Sequence, residues 1–263
     1  MSTAKRKVEI CIISDIHLGT HACHAKELNK YLNSIEPNIL IINGDWLDIW
    51  HFPVGYFPTE HVENIFLVLD FARRGIPVYY ITGNHDDSMR DFSGYSFDVL
   101  ELRDEIILEI DGKKHWIFHG DKYDLSVGGS ARWLAKLGGR YYDNIFRLNR
   151  YINSIRKKYG KEDILISKYI KDKIKSFVKS KVQDFEDIAI DIAIEEKYDY
   201  VVCGHIHKPQ IRVINKPNGN TTYLNSGDWV ENLTALEYNN QKWDLFYYRH
   251  DLEFRNIDRT PRD

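Results

Sequence analysis

Five short stretches of the sequence bring together aspartate, asparagine, histidine and glycine, a combination typical of divalent-cation sites. In chain order they are DIH at residues 15–17, GDWLD at 44–48, GNHD at 83–86, HGD at 119–121 and GHIH at 204–207. Carboxylates, imidazoles and one carboxamide, without cysteine, suit a borderline-to-hard ion such as Mn²⁺, Fe²⁺, Zn²⁺ or Mg²⁺. These side chains are too many for one tetrahedral ion, so the sequence predicts a site for two ions.

A pair of divalent ions indicates a particular chemistry. Two ions held about 3.5–4 Å apart can share a bridging carboxylate and generate hydroxide for in-line attack on phosphorus. Each stretch by itself is typical of a polar surface turn, because Gly-Asp and Gly-Asn pairs favour turns. Their number, and the apolar run that precedes each one, favour a metal site that acts on phosphate.

Apolar runs of strand length lie immediately before the five stretches. They are Val8 to Ser14, Ile39 to Asn43, Val78 to Thr82, His115 to Phe118 and Tyr200 to Cys203. The runs are hydrophobic almost throughout instead of alternating, which predicts strands of a buried parallel sheet. In an open α/β sheet, ligands bind outside the carboxyl ends of the strands. We therefore expect the five turns to converge on one cleft.

Helical patterns between some of these runs indicate an α/β fold. One covers Lys26 to Ile35, and another covers Glu60 to Arg74, with Thr59 as its N-cap and Gly75 just beyond its end. After Pro209 the sequence predicts β-hairpins, whose strands are Gln210 to Asn215, Thr222 to Asn225, Leu233 to Tyr238 and Lys242 to Tyr248. The pairs Asn218-Gly219 and Asn239-Asn240 suit the tight turns of these hairpins.

The composition is that of a soluble globular protein, with 43% hydrophobic and 29% charged residues in 263. No apolar run approaches the roughly 20 residues that a membrane-spanning helix requires. The first residues, MSTAKRKVEICII, predict a first strand and not a signal peptide, because the apolar run is short. Three cysteines do not form a disulfide framework. The sequence therefore predicts a cytoplasmic protein.

Residues 122–183 differ from the rest of the chain. They carry 16 Lys and Arg against five Asp and Glu, a formal charge of +11, whereas the remaining residues carry −14. Two apolar helix faces are visible, and they consist of Tyr141, Ile145, Leu148, Ile152 and Ile155, and of Ile166, Ile170, Ile174 and Phe177. We predict a basic helical insertion at 122–183 in an α/β catalytic domain made of residues 1–121 and 184–263.

The five stretches, in this order, resemble the signature motifs of the calcineurin-like metallophosphoesterases. The resemblance covers about residues 8 to 248, apart from the insertion, and implies a four-layer αββα sandwich with two divalent metal ions, Mn²⁺ being favoured. By motif position, it implies that the first ion is bound by Asp15, His17 and His207, that the second is bound by Asn84, His119 and His205, and that Asp45 bridges both.

The same resemblance implies that two further residues are catalytic. His85 would point at the phosphate and not at the metals, where it could stabilise negative charge or protonate the leaving group. Asp48 would orient His85, as carboxylates near a metal site commonly orient imidazoles.

Within the family, the chain most resembles the UDP-2,3-diacylglucosamine diphosphatases, which cleave a lipid-linked pyrophosphate and use a helical insertion as a lid. This implies an amphiphilic phosphate or pyrophosphate substrate, with Ile145, Ile152 and Phe177 contacting its acyl chains. The basic insertion also predicts contact with an anionic membrane surface, at the inner face of the cell membrane. One departure is His85, because that group is expected to carry arginine at this position.

Other functions remain open at this stage. The basic insertion, with Trp133, Tyr141, Tyr142 and Tyr151 among its charges, would also suit a soluble phosphodiesterase or nuclease that stacks bases on aromatic rings. A catalytically silent metal-binding scaffold is a third reading, although the complete set of ligand types argues against it. The apolar faces of the insertion would alternatively pack on the catalytic domain. The sequence does not indicate an oligomeric state.

Overall fold

The computed structural model describes residues 5–50, 55–123 and 185–248. The chain divides into two compact units, one made of Met1–Asp121 and Ala189–Asp263 and the other of Lys122–Ile188. The predicted helical insertion, with Ile145, Ile152 and Phe177, lies outside the described residues, apart from its first two positions. The five motif stretches all lie in the first unit.

Twelve strands and three helices form most of the described chain. The strands are β1 (Arg6–Ile13), β2 (Ile35–Asn43), β3 (Val78–Ile81), β4 (Ser96–Phe97), β5 (Leu100–Arg103), β6 (Glu105–Ile110), β7 (Lys113–Phe118), β8 (Tyr200–Cys203), β9 (Gln210–Lys216), β10 (Gly219–Asn225), β11 (Thr234–Asn239) and β12 (Lys242–Tyr247). The helices are α1 (Ala25–Ser34), α2 (Thr59–Arg73) and α3 (residues 185–195). A 3₁₀ helix, Asp87–Phe92, follows the GNHD stretch.

Two sheets make up the centre of the fold. The first has seven strands in the order β12-β11-β1-β2-β3-β5-β4, and the second has five in the order β6-β7-β8-β10-β9. The predicted class, an α/β fold with two sheets and helices, is confirmed. The apolar runs taken by themselves predicted a single parallel sheet, and that reading is wrong, because β1, β2 and β3 lie in the first sheet and β7 and β8 in the second. Strands covered on both faces look alike in sequence, whether helices or another sheet cover them.

The alternation of side chains along β1 explains how its apolar run is used. Cys11 and Ile13 point into a core shared with α1 and α2. Ile10 and Ile12 point the opposite way, into a core that also contains residues of β7 and β8. Because successive side chains of a strand point to opposite faces, an almost continuous apolar run is needed to fill both cores. The second core contains residues of both sheets and therefore packs the two sheets against each other.

Several boundaries differ from the prediction. Thr59 is the first residue of α2 and not its cap, and no side chain caps that end. The turn between β11 and β12 consists of Asn240 and Gln241, one position later than predicted, and both have positive φ, as a type I′ turn requires. Strands β4, β5 and β6 were not predicted. Among the described residues, no helix is long and apolar enough to cross a membrane.

Candidate metal centre

The five polar turns meet at the carboxyl ends of β1, β2, β3, β7 and β8, and backbone hydrogen bonds join them. The Asp15 N–H donates to the Gly44 carbonyl at 3.1 Å, and the His17 N–H donates to the Asp45 carbonyl at 2.9 Å. In the second sheet, the Gly204 N–H donates to the His119 carbonyl at 2.9 Å. These bonds join the turns in pairs, DIH with GDWLD and HGD with GHIH.

Five of the seven predicted metal ligands have a left-handed backbone. Asp15, His17, Asp45, His205 and His207 have φ between 51° and 66°. This conformation is uncommon outside glycine, and each such residue costs about 1–3 kcal/mol unless its surroundings hold it. Backbone strain of this kind is often found at functional sites. In this chain, the short turns use this conformation to bring ligand side chains inward from closely spaced positions, such as Asp15 and His17.

Three glycines of the motifs are required by close approach of these side chains. A Cβ built on Gly44 would lie 2.1 Å from His119 Nδ1, and one on Gly83 would lie 2.2 Å from Asp45 Oδ1. A Cβ on Gly204 would lie 2.6 Å from Asp15 Oδ2. The glycines therefore leave the space in which the carboxylates and imidazoles meet.

The first group of ligand atoms comes from Asp15, His17 and His207, whose candidate atoms all lie within 4.8 Å of one another. Asp15 Oδ1 and His207 Nε2 are 3.2 Å apart. Two ligands about 2.0–2.2 Å from a tetrahedral ion would be separated by roughly 3.3 Å, so this spacing fits shared coordination of one ion. These three residues are the set predicted for the first ion.

The second group contains Asp15, Asp45 and His119, again within 4.8 Å. His119 Nε2 is 3.3 Å from Asp45 Oδ2 and 4.0 Å from Asp15 Oδ1. The other ring nitrogen, Nδ1, lies 2.8 Å from the Asn43 carbonyl. A bond from Nδ1–H to that carbonyl leaves Nε2 as the ligand atom, an arrangement typical of metal-binding histidine.

Asp45 lies between the two groups. Its Oδ1 accepts the His85 N–H at 2.8 Å, which fixes the carboxylate. Its Oδ2 is 3.8 Å from His17 Nε2, in the first group, and 3.3 Å from His119 Nε2, in the second. This position suits the bridging role predicted for Asp45. Asp15 also belongs to both groups, which the sequence did not indicate.

Three buried atoms of the predicted ligands have no hydrogen-bond partner within the described chain, and they are His17 Nε2, Asn84 Oδ1 and His119 Nε2. Leaving such atoms unsatisfied costs about 1–3 kcal/mol each. All three are good ligand atoms for a divalent cation. His205 lies nearby, since its backbone N–H donates to both oxygens of Asp15 and its ring centre is 5.3 Å from that of His119. The side chains therefore fit divalent metal ions.

The electrostatics of the site also favour cations. Burial alone would raise the pKa of Asp15, but the positive charges of His207 and His119 outweigh it and hold the pKa below its usual value. The pKa of Asp45 is lowered in the same way, against its burial, chiefly by His119. Burial lowers the pKa of His207, but Asp15 reverses this and raises it to about 9. The carboxylates therefore stay ionised, and the negative charge that raises the pKa of His207 also attracts metal cations.

Asp48 makes two contacts and not the single one predicted. Its Oδ2 lies 3.1 Å from His85 Nδ1 and also 3.1 Å from His17 Nδ1. Burial would raise the pKa of Asp48, yet hydrogen bonds from His17 and His85 lower it well below its usual value. One carboxylate therefore orients a predicted metal ligand and the predicted catalytic histidine together.

His85 differs from the predicted ligands in its neighbours. Its side chain is 20% exposed, and its Nε2 faces the centre, 4.0 Å from Asp45 Oδ2. The Ile49 N–H donates to the His85 carbonyl at 3.1 Å, and the Trp50 ring lies 5.2 Å from the His85 ring. The imidazole is thus held on several sides while one nitrogen stays directed at the site.

Asp86 ties the two central turns together. Its buried carboxylate accepts the Trp46 N–H at 2.9 Å, the Gly83 N–H at 2.6 Å and the Tyr80 hydroxyl. Burial, with the charge of Asp45, raises the pKa of Asp86 to about 6. The structure therefore gives Asp86 a positioning role.

A loop that the sequence did not single out supports His207. The Asp228 carboxylate accepts the backbone N–H groups of Val230, Glu231 and Asn232. The Asn232 side chain donates to the His207 carbonyl at 2.9 Å and also to Asp228. The Gly227-Asp228 pair resembles the turn signal of the five motifs, and aspartate commonly bonds to its own turn. That signal, with the following asparagine, could have pointed to the loop.

Several proteins of known name are similar to this chain. The UDP-2,3-diacylglucosamine hydrolase of Aliivibrio fischeri is 26% identical over 256 residues, which is 94% of this chain and 99% of that protein. The enzyme of the same name from Vibrio cholerae is 24% identical, over 87% of this chain and 94% of that protein. The DNA double-strand break repair protein Mre11 of Methanococcus maripaludis is 25% identical, over 78% of this chain and 50% of that protein.

The family comparison agrees with the geometry of the site. The model of the calcineurin-like phosphoesterases matches residues 8–209, a range that begins in β1 and ends just after the GHIH stretch. All five polar turns fall inside this range. The chain therefore belongs to the calcineurin-like phosphoesterase family.

Proposed function

We propose that the protein is a hydrolase with two divalent metal ions, Mn²⁺ being favoured, that cleaves a phosphoester or pyrophosphate bond in a lipid-linked substrate such as UDP-2,3-diacylglucosamine. The observation that carries the hydrolase is the position of Asp45 Oδ2 between two groups of ligand atoms. Support for the lipid-linked substrate comes from the similar proteins named for it, which align over most of this chain.

The roles of the ligand residues follow from their placement. Asp15, His17 and His207 would hold one ion, Asn84, His119 and His205 the other, and Asp45 both. When bound, two such ions polarise a phosphate and lower the pKa of a bound water, so that hydroxide is available at neutral pH. Asn43 and Asp48 keep His119 and His17 oriented for this purpose, because each accepts a hydrogen bond from Nδ1.

His85 would act on the substrate. Its Nδ1 faces Asp48 and its Nε2 faces the centre, so a proton on Nε2 is directed at whatever oxygen lies there. A donor held in this way can stabilise negative charge on phosphate oxygen or protonate the leaving group. The contact of Nδ1 with Asp48 supports this role, because it would fix the ring and so pre-organise the donor on Nε2.

Selectivity for a lipid would come from surfaces beside the metal ions, because the ions contact only phosphate. We propose that residues 122–183, with their charge of +11, form a lid that contacts an anionic membrane surface and the substrate. In this proposal Ile145, Ile152 and Phe177 contact acyl chains. Each positive charge near such a surface contributes about 1 kcal/mol, which salt screens.

A second candidate is a soluble phosphodiesterase or nuclease. The similarity to the Mre11 protein favours it, and so does the basic character of residues 122–183. The chain spans only about half of that protein's length. The two candidates differ in their substrates and not in their metal chemistry.

A substrate panel in the presence of Mn²⁺ separates these functions. It would contain UDP-2,3-diacylglucosamine, another lipid pyrophosphate, a cyclic nucleotide, single-stranded DNA and bis-p-nitrophenyl phosphate. We expect the lipid pyrophosphates to be cleaved with the highest kcat/KM. Preferred cleavage of single-stranded DNA would replace the lipid proposal by the nuclease, and bound metal without any turnover would indicate a scaffold.

Two variants test the roles within the site. Asp45→Ala should lose both metal binding and activity, whereas His85→Ala should keep both ions and lose roughly 10²–10⁴ in rate, the usual range for acid–base catalysis. Metal content by elemental analysis, measured beside turnover, distinguishes the two. An Asp45→Ala protein with two ions and normal turnover would contradict the bridge, and a His85→Ala protein lacking one ion would make His85 a ligand.

A further inference from the structure

A second concave site lies in the catalytic domain, on the outer face of the seven-stranded sheet beyond α2. It is a cavity of about 510 Å³, within the range of about 300–1,000 Å³ typical of ligand pockets. One wall is formed by α2, and the other is formed by the 3₁₀ helix and by strands β4 and β5. None of the described residues that line it is a predicted metal ligand, which makes it distinct from the metal centre.

The cavity is deep and not merely a surface patch. Its floor consists of Trp46, Tyr80 and Leu102, which are buried. At its rim, Leu69, Phe92 and Phe97 are 45%, 52% and 66% exposed. The buried floor and the exposed apolar rim leave room for a slender group to enter. Contiguous exposed apolar surface commonly marks a binding site.

The lining offers hydrocarbon contact and no free hydrogen-bonding group. Among the described lining residues, only Trp46 and Tyr80 carry a side-chain nitrogen or oxygen. Trp46 Nε1 donates to Asn64 Oδ1 at 2.9 Å, and the Tyr80 hydroxyl donates to Asp86. Met89, at the wall, has a flexible and polarisable side chain that adapts to an apolar ligand. A polar ligand group would lose its hydration here without compensation, so the chemistry selects an aliphatic chain.

The charges around the cavity exclude anionic partners. Residues 86–104, which supply the outer wall, contain six acidic and two basic residues. Both arginines are already paired, Arg90 with Asp104 and Asp121, and Arg103 with Glu101. Nucleic acid or an anionic membrane surface would be repelled at this rim, whereas an uncharged hydrocarbon chain would not be.

The floor of the cavity is joined to the catalytic turns. Trp46 follows Asp45 directly in the chain, and its N–H donates to Asp86. The same carboxylate accepts the Tyr80 hydroxyl on the cavity side and the Gly83 N–H on the metal side. One buried residue, Asp86, therefore connects the cavity to the turn that carries Asn84 and His85.

We infer that this cavity binds an aliphatic chain of the substrate, so that the catalytic domain contributes, in addition to residues 122–183, to the selection of a lipid-linked phosphoester. The inference rests on the proposed lipid function and names the part of the molecule that recognises the chain. Its contribution comes from burial of methylene groups, each of which strengthens binding by up to about fourfold.

A series of alkyl 4-nitrophenyl phosphate diesters tests this with the metal-loaded protein. Methyl, butyl and octyl esters share one scissile bond and differ only in the chain, and they avoid the aggregation of longer lipids. For the unaltered protein, kcat/KM should rise with chain length. In Ala72→Phe, which fills the cavity from α2, the advantage of the octyl ester should fall by at least about tenfold, the effect of losing two buried methylenes. The methyl ester should be cleaved at an unchanged rate.

Two further variants keep the test decisive. Val213→Phe adds the same ring to β9, where Val213 is 70% exposed and away from the cavity, and should leave the series unchanged. Phe97→Ser alters the exposed rim and leaves the buried core unchanged, so it provides the test if Ala72→Phe does not fold. An octyl advantage that survives both cavity variants overturns the inference and leaves the lipid function standing. No octyl advantage in the unaltered protein overturns both.

The remaining occupant of such a surface is a second copy of the chain. Sedimentation of the unaltered protein and of Ala72→Phe distinguishes it. A dimer that dissociates in Ala72→Phe would assign the cavity to self-association and would also overturn the inference. An unchanged molecular mass, together with loss of the octyl advantage, supports the aliphatic-chain site.

Discussion

The close approach of Gly44 to His119 can be tested with a matched pair of alanine variants. Gly44 has φ of +84°, and a Cβ at that position would lie 2.1 Å from His119 Nδ1. Gly75, just past α2, has nearly the same φ, +81°, but no atom lies within 4 Å of its Cβ position. Both alanines would suffer the left-handed backbone, which costs roughly 1–2 kcal/mol. Only Gly44→Ala also displaces a predicted metal ligand.

The size of the expected effect follows from the required movement. Real Cβ atoms essentially never approach other heavy atoms closer than 3.0 Å, so His119 must move by nearly 1 Å. That movement strains the contact from Nδ1 to the Asn43 carbonyl, which is 2.8 Å long. Loss of such a supporting contact typically costs about 10–100-fold in metal affinity. A misplacement of about 1 Å can cost a further 10²-fold in rate.

The assay compares both variants with the unaltered protein in three measurements. Thermal unfolding reports the shared backbone cost, calorimetric titration with Mn²⁺ reports metal affinity, and hydrolysis of bis-p-nitrophenyl phosphate at saturating metal reports the rate. We expect similar losses of stability in both variants, with lost affinity and rate in Gly44→Ala alone. If Gly44→Ala binds metal and turns over as well as Gly75→Ala does, the placement of His119 as a ligand is wrong.

Two further outcomes are expected. Asp48→Asn should weaken metal binding by about 10–100-fold, because His17 loses its support, and it should lower the rate, because His85 loses its support too. In a His85→Ala background, the same change should therefore alter only the metal affinity. Calorimetric titration with metal, measured beside turnover, checks this, and an unchanged metal affinity would contradict the shared contact. Burial lowers the pKa of His115, so the unfolded chain binds a proton more readily and stability is lost as pH falls below about 6.5. His115→Phe keeps the stacking on Tyr200. Between about pH 7.5 and pH 5, its free energy of unfolding in urea should fall by less than that of the unaltered protein. A parallel pH dependence of the two proteins would refute the role given to His115.

The strands that carry the motifs could be predicted because their signal is local. A run such as Val8 to Ser14 is apolar on both faces, and it ends where Asp15 begins the turn. Which element packs on each face of a strand depends on distant parts of the chain, and for that reason the apolar runs suggested one sheet where the fold has two. Strand β4 has only two residues and β6 is partly exposed, so their patterns are too weak to read alone. Their pairing with β5 and β7 defines them.

In the candidate site, too, the sequence predicts the residue types, and only the structure shows which of them are in contact. The motifs identified the residue types, and the structure brings Asp15, His17 and His207 together as one group, and Asp45 and His119 as part of another. No local pattern reveals that Asp48 touches two imidazoles, because His17 and His85 are 68 positions apart. The support that Asn232 gives to His207 also depends on the packing of a distant loop.

In the proposals made above, metal binding and chain selection occupy different parts of the catalytic domain, and Asp86 is the physical link between them. The strained turns fix carboxylates and imidazoles but present no surface that distinguishes one phosphoester from another. The cavity beyond α2 supplies such a surface, although it has no group that reacts. Since Asp86 accepts hydrogen bonds from Tyr80 in the cavity floor and from Gly83 in the turn before His85, a chain packed against Tyr80 would restrict the movement of that turn. Binding energy from a remote part of the substrate would then hold the reacting residues in place, which is how enzymes convert such contacts into rate.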